Sequence, residues 1–132
     1  MNSISRRNFL RSASAVTAGA VFIPNFISCA PSGKINVAAI GVGGRGRHNI
    51  NSCAEDENVN IVALCDVDDM RARETYIAYP EAKRYKDFRK MFDEMGNQID
   101  AVLISTPDHT HFAATMAGMQ LGKHVYVEKP LA

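Results

Sequence analysis

The run Gly41-Val42-Gly43-Gly44-Arg45-Gly46 has the G-x-G-x-x-G spacing that can turn a chain tightly and hold a pyrophosphate. It follows directly on the apolar run from Ile35 to Ile40 and opens onto a stretch of helical composition. A strand-turn-helix at that point aims the free N–H groups of a helix N-terminus at a phosphate. Gly41 permits the turn, Gly43 lets backbone approach a phosphate with no Cβ in the way, and Gly46 lets helix pack close on strand. Such a loop alone can merely turn the chain, so its surroundings carry the argument.

A second apolar run, Val59 to Cys65, ends in an acid, Asp66, 20 residues after Gly46. A dinucleotide site needs an acidic side chain at the tip of its second strand, about 20 residues on, to accept hydrogen bonds from the adenosine ribose. A carboxylate there suits the diol of NAD and repels the 2′-phosphate of NADP, so Asp66 favours NAD, while Arg71 and Arg73 leave NADP open. The competing reading of Asp66 is a solvated acid in the acidic turn that Asp68 and Asp69 continue.

Elements that could position these groups follow in alternation. Residues 69–79 have helical composition, with Met70, Ile77 and Tyr76 as the expected inner face, and stop before Pro80. Residues 83–85 form a short strand. Asp87 caps a helix from Phe88 to Met95 whose Phe88, Met91, Phe92 and Met95 recur at core spacing, and Gly96 ends it. Ala101 to Ile104 is a fourth strand, broken by Ser105-Thr106-Pro107-Asp108, where Thr106 or Asp108 can cap the next helix. Phe112, Thr115, Met116 and Met119 are that helix's expected buried face; Gly122 closes it, and residues 124–127 make a fifth strand. The alternation predicts an α/β fold, a Rossmann-type doubly wound parallel sheet. Ligands then gather at the carboxyl ends of the strands, where Gly41, Asp66, Ser105 to His111 and Glu128 to Pro130 fall.

Composition narrows the function classes. A chain of 132 residues holds at most one domain, and a formal net charge of +1 offers no basic field to nucleic acid. Cys29, Cys53 and Cys65 form no C-x-x-C pair; Cys53 and Cys65 read as packed thiols. His109 and His111 splay at i, i+2 with no third ligand close in sequence, so no metal site is expected, and His48 and His124 carry no assigned role.

Residues 1–30 have different grammar. Ser5-Arg6-Arg7-Asn8-Phe9-Leu10-Arg11 resembles the S-R-R-x-F-L-K pattern of bacterial twin-arginine export signals, with Arg11 in place of Lys. The charge-free run from Ala13 to Ile23 is roughly half a membrane span. Two endings fit the residues: cleavage after Ala30, or a poor lipobox, Phe26-Ile27-Ser28-Cys29, that would lipidate Cys29. The expected destination is the periplasm, free or lipid-anchored, with the export machinery as a partner. A folded export route would let a protein carry its dinucleotide with it.

Gly122-Lys123-His124-Val125 followed by Glu128-Lys129-Pro130-Leu131 resembles the G-K-H-V-x-x-E-K-P-L signature of the Gfo/Idh/MocA oxidoreductases. Thr106-Pro107-Asp108-His109-Thr110-His111 is similar to that family's T-P-x-x-x-H turn. With the glycine loop and the Cys65-Asp66 strand end, the resemblance runs over residues 34–132. It implies a nicotinamide cofactor, NAD or NADP, and hydride transfer at a sugar, polyol or related carbinol. Mapped onto this sequence, it gives cofactor contacts to Gly41, Val42, Gly43, Gly44, Arg45, Gly46 and Asp66, to Ser105, Thr106, Pro107 and His111, and to Glu128, Lys129 and Pro130. It sets Glu128 against the nicotinamide ribose and makes Lys129 the catalytic residue, hydrogen-bonding the reacting hydroxyl and assisting its proton transfer. Pro130 could make a cis bond.

The family also carries a second α/β domain that supplies most substrate contacts, and this sequence stops just past the lysine. The expectation is an incomplete dinucleotide domain, a fragment inactive alone, whose full-length form is a homo-oligomer. Two other functions stay compatible with the residues: a glycoside hydrolase that oxidises its sugar transiently with tightly held NAD, and a non-catalytic dinucleotide-binding module.

Overall fold

A computed structural model describes residues 33–131, so the reading of residues 1–30 as an export signal lies outside the described residues. The elements are β1 (Ile35–Ile40), α1 (Arg45–Ala54), β2 (Val59–Cys65), α2 (Asp69–Ala78), β3 (Lys83–Tyr85), α3 (Phe88–Met95), β4 (Ala101–Ile104), α4 (Asp108–Gln120) and β5 (His124–Val127), with a 3₁₀ turn at Gly96–Gln98. The five strands form one parallel sheet in the order β3-β2-β1-β4-β5. The chain winds outward from β1 to β3, then returns to the other side of β1 to place β4. That reversal puts the topological switch point between β1 and β4, where a doubly wound sheet opens a crevice at its carboxyl edge.

Both faces of the sheet's middle are buried, which is why β1, β2 and β4 read as mainly apolar runs, while the edge strands β3 and β5 stay partly exposed. On one face Ala38, Ile40, Ala63, Cys65, Val102 and Ile104 meet Met91, Phe92 and Met95 of α3 and Ala114 of α4. On the other, Val37, Ala39, Ile61 and Leu64 meet Ile50 of α1 with Ala72 and Tyr76 of α2. Pairing of β1 with β2 slips between Val37 and Ala38, leaving Val62 as an extra residue. The bulge sends Ile61 and Leu64, three apart, to the same face.

The α3 stripe is in the core as its spacing predicts, with Asp87 capping through a hydrogen bond from Arg89 N, 2.9 Å. Gly96 caps the C-terminal end in a right-handed conformation and passes into the 3₁₀ turn. The other two predicted faces hold at Tyr76, which is buried, and at Thr115, whose hydroxyl is buried, and are corrected at their large apolar residues. In α2 Met70 and Ile77 are exposed, and the inner face is Ala72, Thr75 and Tyr76. In α4 Phe112, Met116 and Met119 are exposed, and His111, Ala114 and Gly118 face inward. At Gly118 a Cβ would stand 3.1 Å from Val125 Cγ2. Small residues let each helix sit close on the sheet, and that approach leaves the large side chains outside. Neither Thr106 nor Asp108 caps α4; Pro107 holds the N-cap position, and Thr110 Oγ1 donates back to its carbonyl at 2.8 Å.

No helix among the described residues is long and apolar enough to cross a membrane.

Candidate cofactor site

Gly41 leaves β1 at φ 78°, a left-handed turn that favours glycine, and a Cβ there would stand 2.7 Å from Ser105 C and Thr106 N. The turn after β1 is therefore pressed against the turn after β4. At Gly46 a Cβ would overlap the Gly41 carbonyl oxygen and lie 3.3 Å from Ser105 Cβ. This is the close helix-on-strand packing expected of the third glycine. Gly43 packs instead under Arg71 of α2, whose carbonyl oxygen would be 3.0 Å from an added Cβ. Gly44 is the N-cap of α1 and supplies no side-chain bond, so the first-turn amides keep no side-chain acceptor.

Asp66 closes the loop from the tip of β2. Its Oδ2 accepts from Val42 N at 2.8 Å and Gly43 N at 3.2 Å, and its Oδ1 from Asp68 N at 2.9 Å. An ionised carboxylate offers about four lone-pair sites. Three are taken by backbone, which leaves about one for a ribose hydroxyl. The residue read as a ribose acceptor thus also fastens the glycine loop. From α2, Thr75 Oγ1 donates to the Val42 carbonyl at 2.7 Å, with Thr75 fully buried. Thr75→Val keeps the shape and leaves that carbonyl without its donor. We expect urea unfolding of the full-length protein to show a loss of about 1–2 kcal/mol at unchanged m value. An unchanged midpoint would show that the bond contributes nothing.

The crevice is a cleft of about 860 Å³ walled by Gly41, Gly43, Arg45, Asp66, Arg71, Ser105, Thr106 and Pro107, among others. Thr106 Oγ1 is buried there without a hydrogen-bond partner. Cys65 lines it as well; burial first, then the charge of Asp66, pushes its thiol up to about 12, so it stays a thiol. Cys53 is half-buried on α1, and burial pushes its thiol up too.

Beside the cleft, Glu128 follows β5 and is bound by α1. Its Oε1 accepts from Arg45 Nε at 2.9 Å and from Asn49 Nδ2 at 2.9 Å. Asn49 Nδ2 also donates to Ser105 Oγ at 3.0 Å. The bonds from Asn49, then Arg45, hold the Glu128 carboxyl below its ordinary range. Lys129 and Pro130 come next, both exposed, and the bond between them is cis. His111 is 1% exposed, with Nδ1 2.7 Å from the Pro130 carbonyl and Nε2 2.8 Å from the Thr106 carbonyl. Its imidazole bridges the turns after β4 and β5 rather than lining the cleft. Asn49 carries no sequence motif; its only signal is helical spacing, three residues past Gly46 on the same face. Among the described residues no cluster of His, Cys, Asp or Glu could hold a metal ion.

Residues 35–132 match the oxidoreductase family with an NAD-binding Rossmann fold, GFO_IDH_MocA. The chain belongs to this family. Along its whole length it is 35% identical, over 159 aligned residues, to an alpha-N-acetylgalactosaminidase of Shewanella oneidensis, of which it covers 35%. Among solved structures it superposes on a dehydrogenase from Chromobacterium violaceum with TM-score 0.68 and 28% identity, over 75% of this chain and 29% of that one. It superposes equally on myo-inositol dehydrogenase of Lactobacillus casei, solved with NAD(H) and myo-inositol, with TM-score 0.67 and 28% identity over 75% and 29% of the two chains. The chain spans about a third of the length of the curated relatives it matches.

As a member of this NAD-binding family, the chain has a site that fits the cofactor. The orphaned Thr106 hydroxyl, the uncapped start of α1 and the remaining acceptor site on Asp66 all lie at the carboxyl edge of the sheet, where a dinucleotide belongs.

Proposed function

We propose that this chain is the cofactor-binding part of an exported enzyme that moves hydride between a nicotinamide and a carbinol carbon of a sugar or polyol. The carrying observation is that Arg45 and Asn49, from the helix that opens the glycine loop, bind the Glu128 carboxylate beside Lys129. One end of a dinucleotide site is thereby joined to a cation suited to a reacting hydroxyl. When bound, the nicotinamide supplies the hydride acceptor. Asp66 holds the adenosine ribose and favours NAD over NADP, the first-turn amides of α1 hold the pyrophosphate, and Glu128 accepts from the second ribose. Lys129 hydrogen-bonds the substrate hydroxyl and assists the transfer of its proton as hydride leaves carbon. The twin-arginine pattern at Arg6 and Arg7 supports export, and the polyol-bound relative supports the substrate class. In full length we propose a homo-oligomer with a second, substrate-binding domain.

A second reading has specific support in the identity to an alpha-N-acetylgalactosaminidase. The same hydride transfer, run forward and then back around elimination of the aglycone and addition of water, would hydrolyse a glycoside with no net change in cofactor.

Expressed full length in a bacterium with a twin-arginine pathway, the protein should fractionate with the periplasm. Assayed with NAD and a panel of polyols and aryl glycosides, it should accumulate NADH under the first reading. Under the second it should release aglycone while NAD stays constant. A protein that binds NAD and does neither would be a binding module, and the proposal would fall.

A further inference from the structure

The amide of Asn49 sits where three elements meet. Both hydrogens of its Nδ2 are committed, one to Ser105 Oγ at the end of β4 and one to Glu128 Oε1 after β5. The orientation follows from chemistry, since an ionised carboxylate only accepts hydrogen bonds and must face the amide nitrogen. Asn49 is half-buried on α1, next to the fully buried Ile50, so its anchor is fixed by packing. Arg45, the other side chain on Glu128 Oε1, has a side chain 65% exposed against 16% for its partner. A solvated arginine at the start of α1 is free to turn to a phosphate; the amide is not.

We infer that Asn49 is a positioning residue, holding the Glu128 carboxylate toward the nicotinamide ribose while Arg45 turns to the pyrophosphate. The inference rests on the proposed role of Glu128 at the cofactor. Charge placement agrees: the charged side chain facing Glu128 is Arg45 from α1, and Lys129 meets it through its backbone N–H. With Arg45 drawn away, Asn49 is the side-chain donor that remains. Loss of that donor lets Glu128 protonate at higher pH, so the acid limb of NAD affinity moves to higher pH.

The test uses the full-length protein and NAD, with Asn49→Leu, Asn49→His and Glu128→Gln. Asn49→Leu should weaken NAD about tenfold, the usual scale of one charge-assisted bond, and move the acid limb to higher pH. Asn49→His, which keeps a donor, should recover part of both. In a Glu128→Gln background, Asn49→Leu should add little, because the bond it removes has already lost its charge. Should Asn49→Leu lower thermal stability alone, with affinity and acid limb unmoved, Asn49 is only structural and the inference is overturned. It is equally overturned if the two substitutions add in full. Should Glu128→Gln itself leave NAD affinity unchanged, the underlying role of Glu128 has failed, a result distinct from failure at Asn49.

Discussion

Gly46→Ala is expected to remove measurable NAD binding and to destabilise the domain by about 3–5 kcal/mol, at the severe end for one substitution. The added methyl would overlap the Gly41 carbonyl oxygen and stand 2.9 Å from its carbon. Both are backbone atoms of the turn, so no side chain can swing aside. Relief requires lifting α1 from β1, and α1 is held by Ile50, fully buried against the sheet. Lifting α1 would also withdraw its first-turn amides from the phosphate site and pull Arg45 and Asn49 from Glu128. Gly96→Ala is the control, because a Cβ there meets nothing within 4 Å and the backbone is already right-handed. Its expected effect is neutral to stabilising, by up to about 1 kcal/mol. Thermal unfolding and NAD titration of the two full-length variants read the contrast; equal behaviour would refute the packing argument.

The second large effect falls on turnover. Under the proposed function Lys129→Met should lower kcat by about 10²–10⁴-fold, the usual contribution of a positioned proton-transfer group. NAD affinity should change far less. Lys129 is exposed and its side chain bonds to no described residue, so its loss leaves no buried group unpaired. The split between kcat and cofactor affinity is the diagnostic result. A variant that keeps wild-type kcat would remove Lys129 from the chemistry.

How much of this is legible in the sequence depends on which physical signal each element leaves. The inner strands β1, β2 and β4 stand where their apolar runs place them, because burial on both faces writes a continuous signal; the edge strands β3 and β5 are short and more exposed, and alternation with the helices marks them instead. The stripe of α3 is equally plain, since Met91, Phe92 and Met95 fill the gap between helix and sheet. The inner faces of α2 and α4 are legible only at Tyr76 and Thr115, because close approach to a sheet selects Ala72, Thr75, Ala114 and Gly118 over Met70 and Phe112. The bulge at Val62 leaves no mark in an apolar run. Of the site, the glycine loop, Asp66, Ser105 and Thr106 come together as their spacing implies. What spacing could not convey is the cross-chain wiring. Thr75 to Val42, Asn49 to Glu128 and His111 between Thr106 and Pro130 each join segments far apart in sequence.

The contact between Gly41 and Ser105 bears on how such a domain can be re-engineered. A loop graft meant to change cofactor preference is usually planned as one contiguous exchange. Here the turn after β1 has the backbone of Ser105 and Thr106 as its wall, and Gly46 leans on the same serine. A transplanted glycine loop would arrive with a shape cut for a different wall. The smallest exchangeable cassette is therefore two segments, residues 41–46 and 105–107, and substitutions in one should show strong epistasis with substitutions in the other.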